Sequence, residues 1–217
     1  MTVSELLSRI HWPALIVGLV LFVYWFRVIQ MVRKARKTAG HDANFIPPEP
    51  LGRALRILWI PTVALWVFLP IICSFVAFDF APLRPLPLIN NVIAHWIAAL
   101  VAVVAFIITW VCWINMGKSW RMGINPGEKT ELVFTGPFAY VRHPIYGLSQ
   151  VLMLMTIVIL PSPLMLVIGV IHILFLQWEV RREERYLVQL HGDAYRSYQA
   201  NVGRFFPKSL RAYHRST

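Results

Sequence analysis

An Arg, a His and a Tyr stand at the mouth of a long apolar run, in Gly136-Pro137-Phe138-Ala139-Tyr140-Val141-Arg142-His143-Pro144-Ile145-Tyr146-Gly147. A residue before proline is pushed out of the α region, and proline suits the first helical position. A helix should therefore begin at Pro144, with His143 at its cap. Its free N–H groups and partial positive charge suit an anionic ligand group. Arg142 would add a bidentate clamp for a carboxylate or a phosphate, or would anchor to lipid phosphate.

A second polar cluster, Glu183-Glu184, follows the next apolar run. These carboxylates could bind a cationic ligand group or orient Arg142. They could also pair locally with Arg181, Arg182 and Arg185 on a solvated helix end. Pro161-Ser162-Pro163 makes a tight turn between the two runs, so they read as a helical hairpin. The open ends of a hairpin are neighbours, which puts Arg142-His143 and Glu183-Glu184 within reach of one site. Trp120-Arg121 could close that site from the preceding loop. The faces of Trp120, Tyr140 and Tyr146 could hold a ligand cation or belong to an interfacial aromatic belt.

The elements that must position these residues are apolar. The chain has 217 residues, 58% of them hydrophobic and only 14% charged, where a soluble domain would carry about a quarter charged. Five apolar segments run over 12–32, 55–78, 89–116, 145–160 and 164–178. The expected fold is thus all-α, a polytopic membrane protein of about five transmembrane helices forming a single domain over 1–217. Three N-terminal spans (12–116) precede a C-terminal half (117–217). The fourth segment spans only about 24 Å, short of the roughly 30 Å hydrocarbon core. Pro61 and Pro70 predict kinks in the second. The stretch 117–141 reads as an ordered loop, and the tail 186–207 as a helix broken at His191-Gly192.

The net charge of +11 does not indicate nucleic acid, because the basic residues flank the apolar runs as topology signals do. Eighteen Lys and Arg lie on one side and two on the other. That bias places the N-terminus outside and the C-terminal tail in the cytoplasm. The first run is too long for a signal-peptide core and lacks a cleavage site. Cys73 and Cys112 sit in apolar segments and read as small buried hydrophobes. His95 and His172 lie in spans and read as interhelical hydrogen-bonding residues. No zinc or dinucleotide-binding signature occurs.

From Met116 to Pro207 the chain resembles the isoprenylcysteine carboxyl methyltransferase and phospholipid methyltransferase superfamily of integral membrane enzymes. The resemblance rests on Gly117-Lys118-Ser119-Trp120-Arg121, Gly136-Pro137, and Tyr140 to Gly147. It continues through Glu183-Glu184, Leu187, Gly192, Tyr195, Tyr198 and Phe206-Pro207. It implies S-adenosylmethionine as cofactor, with S-adenosylhomocysteine as product. The cofactor would lie in a cytoplasmic pocket of the last helices, the loop and the tail. A lipophilic acceptor would enter from the bilayer. His143, Pro144, Tyr146 and Gly147 match the cofactor-binding motif, with Trp120 from the loop. Glu183 and Glu184 match the paired acidic motif, and which of them meets the cofactor stays open. Arg142 corresponds to the substrate-orienting Arg, so Arg142 and Glu184 are the expected catalytic pair. The acceptor stays open among a carboxylate, an amine, a hydroxyl and a thiol. One rival is an NADPH-dependent membrane reductase of the sterol-reductase type, which resembles this family in its C-terminal half but carries more spans. A second is a non-enzymatic scaffold, which has no use for Arg142, His143 and Glu184 at the ends of one hairpin.

Overall fold

A computed structural model describes residues 7–39, 47, 49–78, 80–87, 91–120 and 132–214. Its α-helices are α1 (Trp12–Ala39), α2 (Pro50–Phe75), α3 (Val92–Met116), α4 (Pro144–Ile159), α5 (Pro163–His191) and α6 (Asp193–Asn201). Among the described residues there is no strand. α2, α4 and α5 each start on a proline, whose missing N–H is no loss in the first turn. Asn91 caps α3, its Oδ1 accepting from Ile93 N at 2.9 Å and Ala94 N at 3.2 Å. α2 runs on through Pro61 and Pro70 as one helix.

α1, α2, α3 and α5 are long and apolar enough to cross a membrane, and α4 is a shorter apolar helix of 16 residues. Large apolar side chains such as Ile93, Ile97, Leu100 and Ile114 of α3 are exposed. Apolar surface on that scale needs lipid around it. The protein is an integral membrane protein.

The chain forms two compact units. The first holds residues 1–29, 57–106 and 150–173, and the second holds 30–56, 107–149 and 174–217. In the first, Trp66 Nε1 donates to Thr156 Oγ1 at 3.0 Å, and Trp59 Nε1 donates to His172 Nδ1 at 3.2 Å. His172 is thus an interhelical hydrogen-bonding residue, as its apolar setting suggests. In the second, Leu187, Tyr195, Tyr198 and Val202 make a small core under Leu132, Phe134 and Tyr213. Cys112 is buried, whereas Cys73 is half-buried.

The fifth apolar segment runs on past Trp178 through the charged stretch, and the helix breaks at His191-Gly192, where the sequence reading puts the break. α5 continues to His191, and Gly192, with φ +55, breaks it from α6. Glycine alone takes that backbone conformation without strain. The charged residues after Trp178 stay helical because they have partners inside the protein.

Candidate functional site

The second unit gathers the ionisable residues at the open end of the α4–α5 hairpin. Backbone pairing sets the position of Arg142 and His143. Val141 and Gly203 form an isolated parallel bridge, Arg142 N donates to Gly203 O at 2.8 Å, and His143 N donates to Arg204 O at 3.0 Å. A Cβ at Gly203 would fall on the carbonyl oxygen of Phe206, so only glycine lets the tail fold this closely. Gly147 N donates to His143 O at 3.0 Å, which makes His143 the residue from which α4 springs.

Arg142 is a buried hub. Its Nε and Nη2 donate to Glu184 Oε1 at 3.0 and 2.8 Å, and its Nη1 donates to the carbonyls of Gln199 and Val202. The Arg142 and Glu184 side chains are 8% and 6% exposed. Arg204 reaches the same carboxylate, its Nη2 lying 2.5 Å from Glu184 Oε2. One carboxylate thus joins two guanidiniums, and the hydrogen bond to Glu184 holds Arg204 above its ordinary pKa. The tail is thereby locked to α5 through Arg142. The Tyr198 hydroxyl adds a bond to Phe138 O at 2.5 Å. Burial pushes the phenols of Tyr195 and Tyr198 up, and the Glu184 and Glu183 carboxylates push Tyr195 further.

Glu183 is the more open of the acidic pair. Its carboxylate lies 3.9 Å from His143 Nδ1 and is hydrogen-bonded to the Tyr146 phenol. The His143 and Tyr146 rings are 5.8 Å apart. His143 Nε2 lies 3.4 Å from Glu184 Oε1, yet with no properly directed hydrogen bond to any described residue. A cavity of about 70 Å³ opens here, lined by Arg142, His143 and Glu183 with Phe138, Tyr195 and Tyr198 among its apolar and aromatic walls.

Next to it runs a chain of buried charge. Arg56 Nη2 donates to Glu179 Oε1 at 2.7 Å, and both side chains are 3% exposed. Arg182 lies 3.8 Å from Glu179 Oε2 and 2.9 Å from Glu49 Oε1. The Arg56 guanidinium also lies over the Phe175 ring. Ion pairs held this deep mark functional sites more often than they add stability.

The structure therefore brings Arg142, His143, Tyr146, Glu183 and Glu184 together. Pro144 is buried at the start of α4. Gly147 sits one turn along, where an added Cβ would meet Phe205 only at ordinary contact, 3.6 Å. Trp120 ends the short 3-10 turn Gly117–Ser119 and does not line the cavity, whereas Ser119 does. Arg121 and the rest of 121–131 lie outside the described residues. Tyr140 is exposed. Sequence reasoning missed Arg204, Arg56 and Glu179 as members of this network. The available signal was charge of both signs at the edges of apolar runs, Arg56 at the start of one and Glu179 after another.

Residues 96–189 match the model of the isoprenylcysteine carboxyl methyltransferase (ICMT) family. Over this segment the chain is similar to the ICMT family. The match covers a little under half of the chain and includes Arg142, His143, Glu183 and Glu184. It begins earlier than the sequence resemblance, inside α3, and ends before Tyr195, Tyr198 and Arg204. Those tail residues join the site by geometry alone. No significant match is found among curated proteins or solved structures.

Proposed function

We propose that this protein is an S-adenosylmethionine-dependent membrane methyltransferase whose acceptor is lipophilic and comes from the bilayer. The observation that carries the reading is the convergence of Arg142, His143 and Glu183 on one cavity, with Glu184 holding Arg142 in place, within the segment that matches a methyltransferase family. No observation favours the reductase alternative.

The residues suit the cofactor. S-adenosylmethionine carries a sulfonium, an ammonium, a carboxylate and an adenine. Glu183 offers a partly open carboxylate for a cationic group, and Tyr146 fixes its direction. The buried His143 Nε2 has no properly directed bond among the described residues and offers a polar contact. The Phe138, Tyr195 and Tyr198 rings offer apolar and cation-binding faces. A cavity of about 70 Å³ holds only part of such a molecule, since ligand pockets run roughly 300–1,000 Å³.

When bound, the cofactor supplies an activated methyl group for in-line displacement. The protein's part is to align the acceptor and exclude water. Arg142 acts here as a positioning residue. Its donors go to Glu184, Gln199 and Val202, and they hold the tail whose Tyr195 and Tyr198 wall the cavity. A carboxylate acceptor is already a nucleophile and needs no base. An amine acceptor needs a proton acceptor, and Glu183 suits that role better than Glu184, which is engaged by two guanidiniums. The bias of basic residues supports a cytoplasmic location for this end of the hairpin, with Arg142 and Glu184, and an N-terminus outside.

The test is transfer of a labelled methyl group from S-adenosylmethionine into a membrane lipid extract by the detergent-purified protein. Label in the lipid fraction, lost in Glu183→Gln, supports the reading. Absence of transfer across extracts rich in carboxylate, amine, hydroxyl and thiol lipids contradicts it.

A further inference from the structure

The first unit contains a second and larger cavity, of about 500 Å³, which the proposed reaction does not use. That volume lies within the range of pockets that hold small ligands. Its walls come from the end of α2 and the segment after it, the stretch 83–87, and the turn between α4 and α5. These walls are stitched by backbone bonds. His11 N donates to Ser74 O at 2.9 Å, Leu86 N to Pro161 O at 2.6 Å, and Leu164 N to Pro82 O at 2.9 Å. The cavity is therefore a built feature rather than a gap between loose loops.

Its polar groups are few. Ser74 Oγ donates to Ile71 O, and Ser162 Oγ accepts from Met165 N, so both hydroxyls are engaged. The other hydrogen-bonding side chains on its walls are Arg9, His11 and His95. His11 Nε2 and His95 Nδ1 are 3.3 Å apart, with their rings edge-on at 5.2 Å. His95 is buried, and His11 Nδ1 is buried with no hydrogen-bond partner among the described residues. Burial, and then the neighbouring His95, lower the pKa of His11, and Arg9 adds a fixed cation to the same cavity. No carboxylate lines the cavity among the described residues, while its remaining walls are apolar, with Leu69, Phe75 and Met165 as examples. Neighbouring Asp79 lies outside the described residues.

We propose that this cavity is a binding site for an amphiphile with one anionic headgroup, the head held by Arg9 and the His11–His95 pair and the chain by the apolar walls. Arg9 gives the charge-assisted contact, and the imidazoles give directed hydrogen bonds. A free long-chain carboxylate and the phosphate of an anionic lipid share this chemistry. The site is independent of the methyl-transfer reading and stands or falls apart from it.

The experiment uses the full chain in phosphatidylcholine nanodiscs and a photo-crosslinking long-chain fatty acid, with labelled residues mapped by mass spectrometry. The label should fall on the cavity walls, at residues such as Phe75, Leu83 and Met165. Oleate should compete roughly tenfold better than oleyl alcohol, as one charge-assisted contact implies. Arg9→Gln, an exposed change that leaves the fold intact, should weaken labelling by a similar factor, as should His11→Gln. Competition by phosphatidylglycerol at the same concentration as oleate assigns a lipid headgroup as the natural source. Competition by oleate alone assigns a free carboxylate, and either result upholds the site. Equal competition by oleyl alcohol, labelling unchanged in both variants, or label spread over the outer helix faces would overturn it.

Discussion

Glu184→Gln should uncouple the tail from α5. The native carboxylate takes two bonds from Arg142 and two from Arg204. Arg142 is nearly buried, and removing one partner of a buried pair costs about 3–5 kcal/mol because the other charge is left behind. The amide oxygen of Gln can still accept one bond, which puts the loss near the low end of that range. Arg204 is a third exposed, so solvent screens its share to under about 1 kcal/mol. A cost of about 3 kcal/mol then falls on the docking of residues 192–204. Because Tyr195 and Tyr198 wall the cavity, affinity for S-adenosylhomocysteine should drop by at least about tenfold and up to about a hundredfold. Hydrogen exchange of the α6 amides reads the docking, and a calorimetric titration reads the affinity. Arg196→Gln, which removes the exposed Arg196–Asp193 pair at 2.9 Å, is the control and should leave both unchanged. Unchanged exchange and unchanged affinity in Glu184→Gln would refute the claim that this carboxylate holds the site together.

Other substitutions probe separate parts. Arg142→Lys should not rescue Arg142→Ala, because an ammonium cannot span Glu184 and the Gln199 and Val202 carbonyls at once; recovery of product formation in the Lys variant would count against the hub role. Gly147→Ala should leave the melting temperature unchanged, as the new methyl group meets Phe205 only at ordinary contact; a loss of cofactor affinity at unchanged stability would mark Gly147 as a place of close ligand approach, and unaltered affinity would remove it from the binding set. Glu179→Gln should destabilise by about 3 kcal/mol while Arg56→Met with Glu179→Leu costs less, a difference that denaturation in detergent measures; a double variant worse than the single would contradict the buried-pair account. Gly203→Ala should release the tail, seen as rapid proteolysis after residue 192, and resistance equal to wild type would show that the Val141–Gly203 bridge is dispensable.

The spans were legible because apolar runs of that length have few other uses. The start of α4 was legible because Pro144 fits the first helical turn and His143 fits its cap. The meeting of Arg142 with Glu184, 2.8 Å apart, followed from a hairpin whose open ends must be neighbours. The partners of the charges that follow the fifth apolar run were not legible, because Arg56, Glu49 and Tyr146, which meet Glu179, Arg182 and Glu183, come from distant parts of the sequence. Arg56 counts toward a basic loop in the sequence, yet it is buried within α2. Arg204 joins the site only because the tail doubles back at Gly203, and no local pattern announces that turn.

The most direct test of the central claim is a calorimetric titration of the detergent-purified protein with S-adenosylhomocysteine and, separately, with NADPH. The account predicts saturable binding of the first, weakened in Glu183→Gln, and none of the second. Binding of NADPH alone, or of neither ligand in lipid-supplemented detergent, would contradict it.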